Sequence, residues 1–226
     1  MEEAALATSS KEIFEQMAVY VAQDCTIYTQ DVIDLCTSHT DIEWKSVVLL
    51  VPVRLGGETI NVNYVHAIKR ILADPKTNCI GIIGGKPKHS LYFIGFQANK
   101  MVFLDPHYLQ NSIKMSKRNF SVSSYHCTAA RKISFSKLDP SATIGFYCKT
   151  RRDFEEFSAT IQDITLGRCG RPRGEYPVFV VTEGSAAITN HTDALGSSED
   201  RVLKVRRHVI TQQGTVRREF EEYVVL

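Results

Sequence analysis

Asp105 and His107 stand two residues apart at the end of the apolar run Met101-Val102-Phe103-Leu104. A carboxylate that holds one nitrogen of an imidazole leaves the other free to take a proton from a serine or cysteine, an arrangement known by the roles of its members rather than their order in the chain. In a strand, residues i and i+2 face the same side, so alternation predicts that Asp105 steadies the His107 ring. Pro106, which lacks an amide donor and stops a ladder, also fits a plain strand end. A nucleophile is what the pair needs.

Other groups compete for a chemical role. Gly84-Gly85-Lys86-Pro87 combines two residues of wide φ freedom with a stiff edge and predicts a lid loop. The same Gly-Gly-Lys is not a phosphate loop, because the spaced first glycine is missing and Pro87 stands where Ser or Thr is needed. The cysteines, Cys25, Cys36, Cys79, Cys127, Cys148 and Cys169, show no C-x-x-C pair and no zinc spacing, so no metal and no cofactor is expected. Each is expected to be a small buried hydrophobe of a soluble, reduced, cytoplasmic protein. His126-Cys127 makes a poor dyad, since neighbours in a strand point to opposite faces.

The elements that must position these residues follow from periodicity. Ser9 to Met17 predicts a short amphipathic helix, followed by a strand over Ala18 to Ala22 and a helix over Thr29 to Leu35 capped by Thr29. Val47-Val48-Leu49-Leu50-Val51 predicts a strand buried on both faces at the centre of a sheet. Asn61 caps a helix over Val62 to Ala73, with Tyr64, Ile68, Ile71 and Leu72 on one face. Strands are expected over Cys79 to Ile83, Ser90 to Phe96 and Lys100 to Leu104, the last two forming a hairpin through Gln97-Ala98-Asn99. Thr143 to Cys148 predicts another strand, Asp153 to Ile164 an amphipathic helix, and Tyr176 to Val181 an edge strand. Such a mixture is an α+β sheet protein.

From Thr182 to Asp200 the chain is polar and small, and its continuation carries Lys204, Arg206, Arg207, Arg217 and Arg218. The expected organisation is a domain over residues 1–181 and a flexible tail over 182–226. The tail ends in Phe220-Glu221-Glu222-Tyr223-Val224-Val225-Leu226, an extended peptide able to add a strand to a partner's sheet edge with Tyr223 and Leu226 as anchors. Across 226 residues, 27 basic side chains offset 25 acidic ones, for a net charge of +2, which argues against a surface dedicated to nucleic acid. No secretory leader is read at Met1-Glu2-Glu3, and Val47 to Val53, the longest apolar stretch, is too short to span a bilayer.

An ordered series carries a resemblance. Val51-Pro52-Val53-Arg54-Leu55-Gly56-Gly57-Glu58, Gly81-Ile82-Ile83-Gly84-Gly85-Lys86-Pro87, Tyr92-Phe93-Ile94-Gly95, Leu104-Asp105-Pro106-His107-Tyr108, Phe135 through Ser141 and Gly145-Phe146-Tyr147-Cys148 resemble the autophagins, the autophagy-related cysteine proteases of papain-like fold. Gly56-Gly57-Glu58 and Lys88-His89-Ser90-Leu91-Tyr92 resemble the C and D type. The resemblance implies cleavage after the C-terminal glycine of ubiquitin-like autophagy modifiers, both in precursors and in phosphatidylethanolamine conjugates. It implies Asp105 and His107 as catalytic residues, Gly84 to Pro87 as the loop over the site, and Tyr223 to Leu226 as a docking motif for the modifier.

One departure matters. The family's nucleophile lies in a Trp-Gly-Cys context at a helix start, where dipole and imidazole favour thiolate. Trp44 is followed by Lys45, and no cysteine here has that setting. The expectation is therefore a C-terminal portion of a peptidase domain, inactive alone. The alternative is a non-catalytic fragment that binds the modifier through its tail.

Overall fold

Val47, Leu49, Val51 and Val53 are buried in alternation with half-buried or exposed neighbours, so the most apolar run of the chain presents one face to the core. The computed structural model describes residues 16–37, 44–86, 88–111, 121–127, 129–166, 177–186, 202–210 and 216–224. The expected helix over Ser9 to Met17 lies largely outside them. Within Met1–Ser185, the first of two units, seven strands form a mixed sheet: β1 (Met17–Val21), β3 (Ser46–Arg54), β4 (Cys79–Lys86), β5 (His89–Gln97), β6 (Lys100–Leu104), β7 (Arg131–Ser134) and β8 (Ser141–Cys148). Their order is β1-β3-β8-β4-β5-β6-β7. A parallel pair joins β1 to β3, and every other pairing in this sheet is antiparallel. β2 (Thr26–Tyr28) pairs in parallel with β9 (Val180–Thr182) as a separate small sheet.

Three α-helices among the described residues accompany them: α1 (Thr29–Cys36), α2 (Val62–Ala73) and α3 (Arg151–Leu166). The Asn61 side chain accepts from the amide of Asn63 at 3.0 Å, giving α2 the cap expected. Thr150 and Asp153 cap the start of α3 reciprocally, the Asp153 amide donating to Thr150 Oγ1 at 3.1 Å and the Thr150 amide to Asp153 Oδ2 at 2.9 Å. α1 begins at Thr29 as expected and runs one residue further, to Cys36, but its N-cap is Tyr28 rather than Thr29, with no side-chain cap bond.

Phe146 of β8 carries the core outward from the sheet. Its ring lies 4.8 Å from Phe157 of α3 and 5.7 Å from Phe179, and all three are buried. Ala67, Ile68 and Ile71 of α2 are buried in the same cluster, and Arg70 reaches Asp163 of α3 at 3.2 Å. The opposite face of the sheet differs. Val19, Val21, Ile80, Ile83 and Ile94 alternate with the buried set and are exposed, while Val48 and Leu50 are half-buried. The expectation of a central strand buried on both faces is corrected accordingly: β3 lies second from the edge, and only one face of it is fully packed.

In the second unit, Ala186–Leu226, β10 (Val202–Ile210) pairs antiparallel with β11 (Val216–Val224). Both strands fall within the tail expected over residues 182–226. Val202, Leu203, Val205, Val209 and Ile210 give the first of these strands β-branched and aliphatic content that its basic residues mask in a reading by charge.

Candidate active site

Three strands end at one rim of the large sheet. β6 stops at Leu104, Tyr92 of β5 stands opposite Leu104, and Phe103 stands opposite Arg131 at the start of β7. Antiparallel pairing therefore brings the start of β5, the residues after β6 and the start of β7 to the same place. His89, Asp105, His107 and Arg131 meet there.

Asp105 is the hub. Its Oδ1 lies 2.8 Å from His107 Nδ1 and also accepts from the His107 amide at 3.1 Å. The second contact closes an Asx turn over Pro106. Strand alternation is thus not what joins the pair, because the strand has already ended and a local turn does the work. Oδ2 faces two cations or potential cations, His89 Nε2 at 3.5 Å and Arg131 Nη1 at 3.6 Å. The Asp105 side chain is only 9% exposed, whereas that of His107 is 47% exposed. The rings of His89 and His107 stack with centroids 4.1 Å apart and planes 18° from parallel.

These contacts favour the ionised acid. The bonds from His107, ring and main chain, hold the Asp105 carboxyl below its usual range, with a smaller contribution from His89. Arg131 is itself anchored, donating to the Tyr108 hydroxyl at 2.9 Å and lying over the Phe103 ring. Donor atoms of His89, Asp105 and His107 lie within 4.8 Å of one another. Stacked imidazoles, whose in-plane lone pairs run side by side rather than converge, make a poor tetrahedral site. The geometry suits proton handling: an acid fixes Nδ1, and Nε2 of a half-exposed ring is left to act on a neighbouring group.

Gly84, Gly85 and Lys86 belong to β4, paired with Leu91, Ser90 and His89. Where a lid loop is expected, Gly84 to Lys86 form an arm of a hairpin; Pro87 lies outside the described residues. Gly85 has φ +150°, and a Cβ there would meet the His89 carbonyl oxygen at 2.1 Å. A cleft of about 490 Å³ runs beside this arm, with Gly84, Lys86, His89, Ser90 and Asp139 among its walls. It adjoins the imidazole pair through His89.

Burial holds the thiols of Cys36 and Cys148 protonated, raising both to about 12, and Cys79 to about 11. Cys25 is half-buried, its Sγ 3.2 Å from the Pro52 carbonyl. Cys127 is exposed, which corrects the expectation that it is a buried hydrophobe. Cys169 lies outside the described residues. No hydrogen bond joins His107 to a thiol among the described residues. Tyr223 falls in β11 and Leu226 outside the described residues.

His89 and Arg131 escape a reading by local motif. Counting the hairpin register would have found His89, three residues before the partner of Leu104.

Comparison with known proteins gives a consistent result. A model of the peptidase C54 catalytic domain matches residues 2–160. Cysteine protease atg4da of Danio rerio is 43% identical over 213 residues, 94% of this chain and 42% of that protein. Cysteine protease ATG4C of Xenopus tropicalis is 46% identical over 183 residues, covering 80% of this chain and 39% of that one. The Homo sapiens protein of the same name is 40% identical over 198 residues, 83% and 42% respectively. The chain spans about two fifths of the length of these curated relatives.

Proposed function

The chain belongs to the peptidase C54 family of autophagy-related cysteine proteases, as a member of its C and D type, and on that premise we propose that Asp105 and His107 are the orienting acid and the general base of a papain-like thiol protease site. The 2.8 Å contact between Asp105 Oδ1 and His107 Nδ1 carries the reading. It presents Nε2 to take the proton of a cysteine thiol; the thiolate then attacks the carbonyl carbon of the terminal glycine, the imidazolium gives the proton to the departing amine, and a water deprotonated by the same imidazole hydrolyses the resulting thioester, freeing the glycine carboxylate and the thiol.

The substrates on this reading are ubiquitin-like autophagy modifiers, as precursors with residues beyond the glycine and as phosphatidylethanolamine conjugates. Lys86 and the Gly84-Gly85 arm border the cleft beside the base, a position suited to covering an extended peptide. Tyr223 and Leu226 are the proposed docking residues of residues 182–226. A cytoplasmic setting fits such substrates, and no helix among the described residues is long and apolar enough to cross a membrane.

This polypeptide alone supplies no activated thiol on the same reading, since three described cysteines are held protonated and none has the family's Trp-Gly-Cys setting. Losing a nucleophile costs on the order of 10⁶ in kcat in a serine protease. Incubated with a modifier precursor, the chain is expected to release no product ending in glycine. Fusing the family's nucleophile segment ahead of Met1 is expected to restore release, and His107→Ala to abolish it again. Activity of the fusion that survives His107→Ala overturns the catalytic assignment.

A second reading, capture of the modifier without cutting, rests on the terminal motif. Pull-down of the modifier by the unfused chain, lost in a Tyr223→Ala/Leu226→Ala variant, supports it; undiminished capture excludes the tail as the main contact.

A further inference from the structure

We infer that His89 is a positioning residue of this site, holding the second oxygen of Asp105 and covering one face of the His107 ring. The inference rests on the catalytic reading of Asp105 and His107 given above. Two degrees of freedom would otherwise weaken that pair. A carboxylate held by one oxygen can rotate about its terminal torsion, which has a broad profile, and an imidazole that is 47% exposed can turn away from its partner. His89 opposes both. Its Nε2 stands 3.5 Å from Oδ2, on the side that Oδ1 and His107 leave open. Its ring, 4.1 Å from that of His107 and nearly parallel to it, blocks the sweep that a turn of His107 requires.

The backbone is shaped to deliver it. His89 pairs with Lys86 at the end of the hairpin, and Gly85 lets that strand pass so close to the His89 carbonyl that no side chain fits. A site built on paired strands holds its geometry better than one built on free loops. Besides Asp105 and His107, the charged groups near His89 among the described residues include Arg131, Lys86, Lys88 and Asp139. Arg131 faces the same Oδ2 from β7 and is tied to Tyr108, and Lys86 and Lys88 flank the hairpin turn. To that ion pair His89 adds the stacked surface and a second anchor on the carboxylate.

Two substitutions separate these contributions in the intact chain. His89→Phe retains a flat ring and removes the nitrogen facing Oδ2, whereas His89→Gln retains a donor and removes the stack. Carbon-13 NMR follows the Asp105 carboxyl across acid pH, and nitrogen-15 NMR reads which nitrogen of His107 carries the proton. The parent chain is expected to show one dominant His107 tautomer, protonated on Nδ1. In His89→Phe the Asp105 midpoint should rise toward the ordinary carboxylate value while the tautomer is kept. In His89→Gln the midpoint should stay near that of the parent, while the His107 signals broaden or divide between tautomers. If both variants leave the Asp105 midpoint and the His107 nitrogen shifts where they are in the parent chain, His89 is a bystander at a strand end. No turnover is needed for this readout, so it stands or falls apart from the fusion assay that tests the catalytic roles.

Discussion

The ring of Tyr92 lies where a side chain on Gly81 would be. Its hydroxyl donates to the Ile80 carbonyl, and a Cβ built on Gly81 would come within 2.6 Å of the ring and 2.8 Å of the Phe93 carbonyl oxygen. Gly81 also has φ +131°, a conformation that side-chain-bearing residues rarely adopt. A register shift between Cys79 and Gly81 interrupts the ladder of β4 with β8 at this glycine. Gly81→Ala is therefore expected to lower stability by roughly 1–3 kcal/mol through backbone strain, with a further loss from the displaced tyrosine. Urea unfolding read by circular dichroism measures it; an unchanged midpoint contradicts the close approach.

Asp105→Asn separates placement from charge. The amide oxygen can still accept from the His107 main chain and preserve the Asx turn, while the ionic hold on the ring is lost. In the fused enzyme kcat/KM should fall by on the order of 10²–10⁴, given that the matching change in a serine protease costs about 10⁴. A fall of less than about threefold rejects the orienting role.

Acid stability should follow the same carboxylate. Because the folded chain holds Asp105 below its ordinary value of 3.8, the stabilisation is complete above that value and drains as pH falls through the lower folded one. Melting temperature in the parent chain should drop more steeply below about pH 4 than in Asp105→Asn. Parallel pH profiles for the two proteins contradict this linkage.

Alkali should act through the buried thiols. Cys36 and Cys148 start from an ordinary value of 9.0 and are raised to about 12 in the fold, so unfolding gains from their ionisation as pH rises between these limits. Stability should be level below the lower limit and decline above it, less steeply in a Cys36→Ala/Cys148→Ala variant. Iodoacetamide at neutral pH should label Cys127 readily and leave Cys36, Cys79 and Cys148 intact until the chain unfolds. Mass spectrometry of tryptic peptides reads the labelling directly.

Phe157→Ala tests the core that supports the sheet. The side chain is fully buried between Phe146 and Phe154. Truncation should cost about 3–5 kcal/mol. A loss below about 1 kcal/mol, by the same urea assay, shows that the neighbouring rings collapse into the space.

Much of this architecture is legible in local pattern. Val62–Ala73 announces itself by a cap and a 3.6-residue stripe, and Lys100–Leu104 by its apolar run after the turn-sized link Gln97-Ala98-Asn99, of which Gln97 proves to close β5. The short strands Thr26–Tyr28 and Arg131–Ser134 carry too few residues for a period to show. The spacing of Asp105 and His107 points to their pairing, though for a strand's reason where a turn is the cause. His89 and Arg131 reach the same carboxylate only through registers between strands, and pairing across the chain is invisible to a reading that moves residue by residue.

The sheet order also sets a timetable. Ser141–Cys148 lies between Ser46–Arg54 and Cys79–Lys86 and bonds to both, so the two earlier strands have no direct ladder to each other. During synthesis, most of this unit has left the ribosome before the rung that unites its halves exists. The early β-hairpin carrying His89 can zip locally, but the platform beneath it closes only when that late segment is inserted across long sequence separations, a slow topology with exposed edges in waiting.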